Sequence, residues 1–297
     1  MTVAEPPPVA ATPALEVVDH ARLARRERIR LIVRSKTFLI GAAVLGFWIL
    51  MALLGSTIAP HDPYADDILN KLKAPSGTHW FGTDSLGRDV FSRVLAGARG
   101  IIVVALLATV LGTAAGTAFG LAAGYFRGLV DEILGILFNA FLSLPVVIIG
   151  LLALVAVGPS KLTVTLVVGV VFTPIISRTV RAAVLAERQL EYVQAARLRN
   201  ERPPYVMFAE ILPNVLAPIL VEFTVRLGYA IFAIATLSFL GVGIPPPAPD
   251  WGVQIADHYG LISGGYWWPS LFPALAIASL VISVNLVADG LTHAFER

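Results

Sequence analysis

The sequence predicts an all-α membrane protein with six transmembrane helices and both termini in the cytoplasm, and three observations carry that reading. Of 297 residues, 57% are hydrophobic and 14% charged, with a mean hydropathy of +0.78; soluble domains carry about a quarter charged residues. Uncharged runs long enough to cross about 30 Å of hydrocarbon recur along the chain. Lys and Arg collect on one side of those runs. The composition excludes a soluble globular protein and a disordered one, and a formal charge of +2 gives no case for nucleic-acid binding.

The first residues, MTVAEPPPVAATPA, lack a basic stretch and are rich in Pro and Ala. Residues 1–30 therefore read as a disordered tail and not as a signal peptide, and 31–297 as one membrane domain. Thr37 to Ile58 and Ile101 to Phe126 are uncharged, and Ile133 to Gly158 holds only Asn139 and Ser143 as strongly polar groups. Each must be helical, because lipid offers the backbone no hydrogen bonds. A fourth span begins at Leu162 and continues through Arg178 and Arg181, which can snorkel to the interface. The fifth, Ile211 to Gly243, is interrupted by Pro213 and Pro218 and carries Glu222 and Arg226. The sixth runs from Leu271 to Ala288. Between them lie an outer segment, 59–100, a cytoplasmic loop, 178–210, and an outer loop, 244–270.

Orientation follows from the basic residues, which stay on the cytoplasmic side of short loops. With the N-terminus inside, the inner segments hold fifteen: seven between Arg22 and Lys36, then Arg127, six between Arg178 and Arg202, and Arg297. The outer segments hold six: Lys71, Lys73, Arg88, Arg93, Arg99 and Lys161. Trp80, Trp251, Trp267 and Trp268 all fall in outer segments, where an indole straddles the interface.

Catalytic signatures do not emerge. The chain has no cysteine, which excludes disulfides and thiolate chemistry, and none of its four lysines follows a phosphate-binding glycine loop. None of the five histidines falls inside a span, against an intramembrane protease or His-ligated metal site. His61 with Asp62, and Asp257 with His258, are isolated pairs, and no metal site is expected from them. Asp131 and Asp289 read as solvated helix ends. A membrane-embedded enzyme thus lacks its groups, and an ATP-independent secondary transporter lacks the two related halves usual for that class.

The loop between spans four and five is richer than a linker. Ala182 to Ala196 has high helix propensity without Gly or Pro, so one helix is expected there, stopped at Pro203-Pro204. A second short helix leads from about Tyr205 to Leu212-Pro213-Asn214. Within the first helix, Tyr192, Val193 and Ala196 form a small apolar patch flanked by Glu191 and Arg197, a pattern suited to a protein groove. Glu191-Tyr192-Val193-Gln194-Ala195-Ala196-Arg197, followed by Ile211-Leu212-Pro213-Asn214, resembles the EAA loop of bacterial ABC importer permeases. The turn glycine of that family aligns with Asn200, which tolerates a left-handed backbone, and its basic or His position aligns with Glu210.

Further stretches narrow the resemblance. Phe81-Gly82-Thr83-Asp84-Ser85-Leu86-Gly87-Arg88-Asp89-Val90-Phe91-Ser92-Arg93, Leu237-Ser238-Phe239-Leu240-Gly241 and Pro245-Pro246-Pro247-Ala248-Pro249-Asp250-Trp251-Gly252 are similar to the C-type permeases of dipeptide, oligopeptide and nickel importers. The resemblance implies a type I importer fold in the bacterial cytoplasmic membrane. Its implied partners are a second homologous permease, two ATPase domains that bind ATP and Mg, and an extracytoplasmic solute-binding protein. This chain itself would hold no cofactor. Glu191, Tyr192, Val193, Ala195, Ala196, Arg197 and Asn200 are the expected ATPase-coupling residues. The solute is a peptide or, alternatively, nickel or a haem-like molecule.

Three readings of the residues remain. Asp84 to Arg99 spaces Leu86, Val90, Phe91, Val94, Leu95 and Ala98 as an amphipathic interfacial helix, with Asp84, Arg88, Asp89, Asp250 and Trp251 as an outer gate or binding-protein contact. Gly112, Gly116, Gly120 and Gly124 form a stripe for close helix approach, to a partner in this chain or another. Glu222 and Arg226 share one helical face roughly 16 Å beyond Ile211, near mid-membrane. There they form either a structural ion pair or the wall of a polar path.

Overall fold

The computed structural model describes residues 35–245 and 247–295; the predicted tail, 1–30, lies outside them. Among the described residues the regular structure is helical, joined by loops, and one isolated bridge pairs Thr83 with Asp89. In chain order the helices are α1 (Lys36–Ile58), α2 (Val90–Phe126), α3 (Gly128–Leu142), α4 (Val146–Val157), α5 (Lys161–Glu187), α6 (Glu191–Leu198), α7 (Pro203–Tyr205), α8 (Leu212–Asn214), α9 (Leu216–Phe239), α10 (Trp251–His258) and α11 (Trp268–Phe295). A π-helical stretch, Val206–Ile211, joins α7 to α8.

The glycine stripe finds its partner within this chain. A Cβ on Gly116 would meet Ile176 Cβ at 2.7 Å and the Thr173 carbonyl at 2.9 Å, so only hydrogen lets α2 and α5 approach so closely. Gly112 faces Gly169 and Phe172, Gly120 faces Ser177 and Val180, and Gly124 faces Val184. Residue numbers rise together along both helices, so α2 and α5 are parallel.

Parallel packing fixes the crossing between them. The chain leaves α2 at Phe126 at one end of the bundle and begins α5 at Lys161 at the other, so residues 128–157 must carry it back across. They do so as α3 and α4, bent by 88°, and not as the single straight span expected over Ile133 to Gly158. Pro145 accounts for the break: it has no N–H for the ladder, and its ring disfavours a helical backbone at Leu144. With α1, α2, α5, α9 and α11, each long and apolar enough to cross a membrane, the bent pair brings the described candidate spans to as many as six.

Helix α1 runs antiparallel to α11. Gly41 lies against Leu286, and the Trp48 indole donates to Ser279 Oγ at 2.9 Å. The end of α1 meets the start of α2 where Gly55 packs on the Leu95 backbone. The start of α1 and the end of α11 thus share the face that carries α6.

Four local expectations are corrected. Residues 84–89 form a turn, and 90–99 are the beginning of α2, a continuous helix of 37 residues or about 55 Å, so there is no separate interfacial helix. The single helix expected over Ala182 to Ala196 ends at Glu187 and restarts at Glu191 after an extended Leu190 (φ −72°, ψ 151°). The break lets Val193 and Ala196 pack inward. Pro203 and Pro204 open α7, where their missing N–H groups cost nothing, and Pro218 separates α8 from α9 because Asn214 loses its i+4 donor. Asp131 is more than a solvated end: it lies in the first turn of α3 and stays partly exposed, and its carboxylate receives Arg181 in a two-bond fork, one bond being Nη2 to Oδ2 at 2.6 Å. Arg178 reaches Asn139 at 2.5 Å, so both α5 arginines are satisfied by α3.

Candidate functional site

Helix α6 is short, eight residues, and is fastened to the rest of the chain. Its C-terminus closes as a Schellman turn, with Glu201 N–H on the Ala196 carbonyl at 3.2 Å and Asn200 N–H on the Arg197 carbonyl at 2.9 Å. Asn200 has φ +56°, the left-handed conformation that its side chain tolerates. Val193 and Ala196 are each 0% exposed and join Val206 and Ile211 in the core. The expectation that they present a patch to a partner's groove is therefore corrected: the helical period points them at their own chain. Glu191, Gln194 and Ala195 face outward, together with Leu198, which is 84% exposed.

Two side chains tie α6 to the spans. The Tyr192 hydroxyl donates to Glu187 Oε1 at 2.6 Å and accepts from Asn214 Nδ2 at 3.1 Å, linking the end of α5 to the approach to α9. Burial, then the Glu187 carboxylate, pushes the phenol up to about 12, so it remains a donor. The Arg197 guanidinium lies 4.8 Å from the Tyr125 ring centroid at the end of α2, while Arg188 donates to the Gly124 carbonyl at 3.3 Å. Glu210, the departure from the loop pattern, faces Arg199 at 3.7 Å.

At the opposite face, the motif residues organise the surface from within. Asp84 Oδ1 accepts the Leu86 and Arg88 amides at 2.8 and 2.9 Å, its other oxygen facing Arg93 at 3.7 Å. Asp89 caps α2 through Ser92, and Arg88 pairs with Asp66 at 2.5 Å. Asp250 caps α10, accepting from Val253 N–H at 3.0 Å and Ser238 Oγ at 3.1 Å; burial pushes its carboxyl above the ordinary range. Trp251 donates to the Val94 carbonyl at 2.9 Å and Trp268 to that of Thr83 at 3.0 Å. Asp84, Asp89, Asp250 and Trp251 are all buried, so direct contact of their side chains with a binding protein is corrected to shaping the loops that could make it. Trp251 and Trp268 are likewise buried donors, while Trp80 and Trp267 are exposed as an interfacial belt requires.

Glu222 and Arg226 meet in α9 with Nε 2.5 Å from Oε1, and the guanidinium lies 5.2 Å from the Tyr229 ring. The pairs His61–Asp62 and Asp257–His258 do not act together: Asp62 caps the Tyr64 amide, and His258 bonds Ser85 and the Gln254 carbonyl. Sequence reasoning assigned no partner to Tyr125, Glu187, His79 or Ser238. Their partners lie on other helices or loops, and no local spacing announces them.

A bundle of parallel and antiparallel spans, with a short helix fastened across one face and a capped loop network on the other, defines a membrane transport subunit. The chain belongs to the family of binding-protein-dependent transport system inner membrane components, matched over residues 116–297. Residues 25–75 also match the N-terminal TM domain of oligopeptide transport permease C. The dipeptide transport system permease protein DppC of Alkalihalophilus pseudofirmus is 33% identical over 271 residues, covering 91% of this chain and 89% of the relative. A putative peptide transport system permease of Brucella suis is 37% identical over 267 residues, 90% of each chain. DppC of Bacillus subtilis is 34% identical, covering 90% of this chain and 83% of the relative.

Proposed function

We propose that this chain is one of two permease subunits of an ATP-driven importer for peptides, driven by ATPase domains that dock on the outward side of α6. The observation that carries the coupling role is the pair of fastenings at Tyr192 and Arg197, through which a push on α6 reaches α2, α5 and α9 together. ATP-driven closure of the ATPases would then rock these spans between inward and outward access. The excess of Lys and Arg on the α6 side supports a cytoplasmic reading of that face and of both termini. The opposite face receives solute from an extracytoplasmic binding protein. Covalent chemistry belongs to the ATPase partners, which bind ATP and Mg.

Two substitutions test the docking surface. Leu198→Asp places a charge on an exposed apolar position, so the complex should assemble with normal thermal stability but lose substrate-stimulated ATP hydrolysis and uptake together. Ala196→Asp buries an unpaired carboxylate in the chain's own core, at a cost of several kcal/mol, and should lower the yield of folded protein. Wild-type uptake by Leu198→Asp would show that α6 is not the docking element.

A further inference from the structure

Three side chains from three separate segments converge at the start of α2. His61 lies three residues beyond α1, His79 sits in the loop ahead of the Phe81 to Arg93 motif, and Asp89 caps α2. One ligand atom from each lies within 4.8 Å of the others. His79 Nδ1 is 2.9 Å from Asp89 Oδ1, and His61 Nδ1 is 3.8 Å from the same oxygen. Ligands held about 2.0–2.1 Å from a tetrahedral zinc ion lie about 3.3 Å apart. These two separations bracket that edge, the third edge, between the imidazoles, is within 4.8 Å, and the rings would have to shift to close all three around an ion.

The carboxylate is already oriented. Ser92 N–H and Oγ donate to Asp89 Oδ2 at 2.8 and 2.7 Å, which leaves Oδ1 directed toward the histidines. The same Ser92 hydroxyl accepts the His61 backbone N–H at 3.1 Å, so one residue positions two members of the cluster. Nearby guanidinium groups are engaged elsewhere, Arg93 with Asp84 and the Pro63 carbonyl, Arg88 with Asp66. Asp89 is 2% exposed whereas His61 is 42% exposed, which gives a cation a way in and a water a fourth position.

We infer that His61, His79 and Asp89 form a binding site for a zinc-class divalent ion on the face opposite α6. Two imidazoles and one carboxylate select borderline transition metals over Mg²⁺ and Ca²⁺. A bound ion would join the end of α1 to the loop and to the N-terminus of α2, bracing the outer segment. This assignment is independent of the solute and of the ATPase partners.

Full-length protein in detergent, stripped with a chelator and purified without a histidine tag, should bind one Zn²⁺ per chain in competition with a chromophoric chelator. His61→Gln and His79→Gln should each weaken that binding at least tenfold and abolish the zinc-dependent rise in thermal midpoint. Because His61 is partly exposed, its substitution tests the site without threatening the fold. Absence of stoichiometric zinc binding by the wild type, wild-type affinity in either variant, or displacement of zinc by excess Mg²⁺ would overturn the assignment.

Discussion

Tyr192 donates its phenolic proton to Glu187 at 2.6 Å across the break between α5 and α6. This bond joins the last residue of a transmembrane helix to the helix lying across its end. Tyr192→Phe keeps the ring and its packing but removes the bridge, leaving Glu187 and Asn214 without their shared partner. The cost to stability should be about 1 kcal/mol. Coupling should suffer more than stability: uptake and substrate-stimulated ATP hydrolysis in reconstituted vesicles should fall together several-fold. Unchanged coupling with the same small loss of stability would make Tyr192 a packing residue only.

The contact between α2 and α5 predicts a contrast among glycines. Gly116→Ala and Gly120→Ala place a methyl group under 3 Å from Ile176 or Val180, and each should cost about 1–3 kcal/mol through overpacking. Gly46 of α1 has open space around its Cβ direction. Gly46→Ala should be neutral or raise stability by up to about 1 kcal/mol through helix propensity. Thermal unfolding of the single chain in detergent distinguishes them, and equal effects at Gly46 and Gly116 would contradict the close approach.

For Glu222 and Arg226, the pairing predicts strong coupling. Glu222→Gln and Arg226→Gln should each destabilise the protein by leaving one charge unmatched, and the double variant should recover much of the loss. Losses that simply add would contradict an energetic pair. If the pair also lines a polar path, the double variant should assemble normally with altered transport rate or solute range.

Burial raises the Asp250 carboxyl above its value in the unfolded chain, against the opposing effects of the Val253 amide and the Ser238 hydroxyl. A raised carboxyl favours the protonated folded form. Its penalty is therefore fully present above the folded pKa and disappears as the pH falls through that value toward the unfolded one. Asp250→Asn keeps an N-cap acceptor and removes the charge, so its advantage over the wild type should be greatest near neutrality and shrink on acidification toward about pH 4. Asp250→Ala loses the cap and should cost about 1 kcal/mol. Thermal midpoints of the three proteins across that pH range provide the measurement, and an asparagine variant as unstable as the alanine one would refute the argument.

The sequence by itself located the apolar runs, though not the bend at Pro145, and the outline of the loop from Glu191 to Asn214. These follow from hydropathy, from uncharged length and from the local chemistry of Pro and Asn, all properties of neighbouring residues. It also located the glycine stripe and the facing of Glu222 toward Arg226, because helical period alone places them. Only the tertiary structure decided which helix fills the stripe, that Val193 and Ala196 turn inward, and that Asp84, Asp89 and Asp250 are buried organisers of loops. It alone brought His61 and His79 to Asp89 and set Tyr192 between Glu187 and Asn214. Those outcomes depend on which surfaces meet when separate helices pack, and a side chain's partner across such a contact has no fixed distance along the chain.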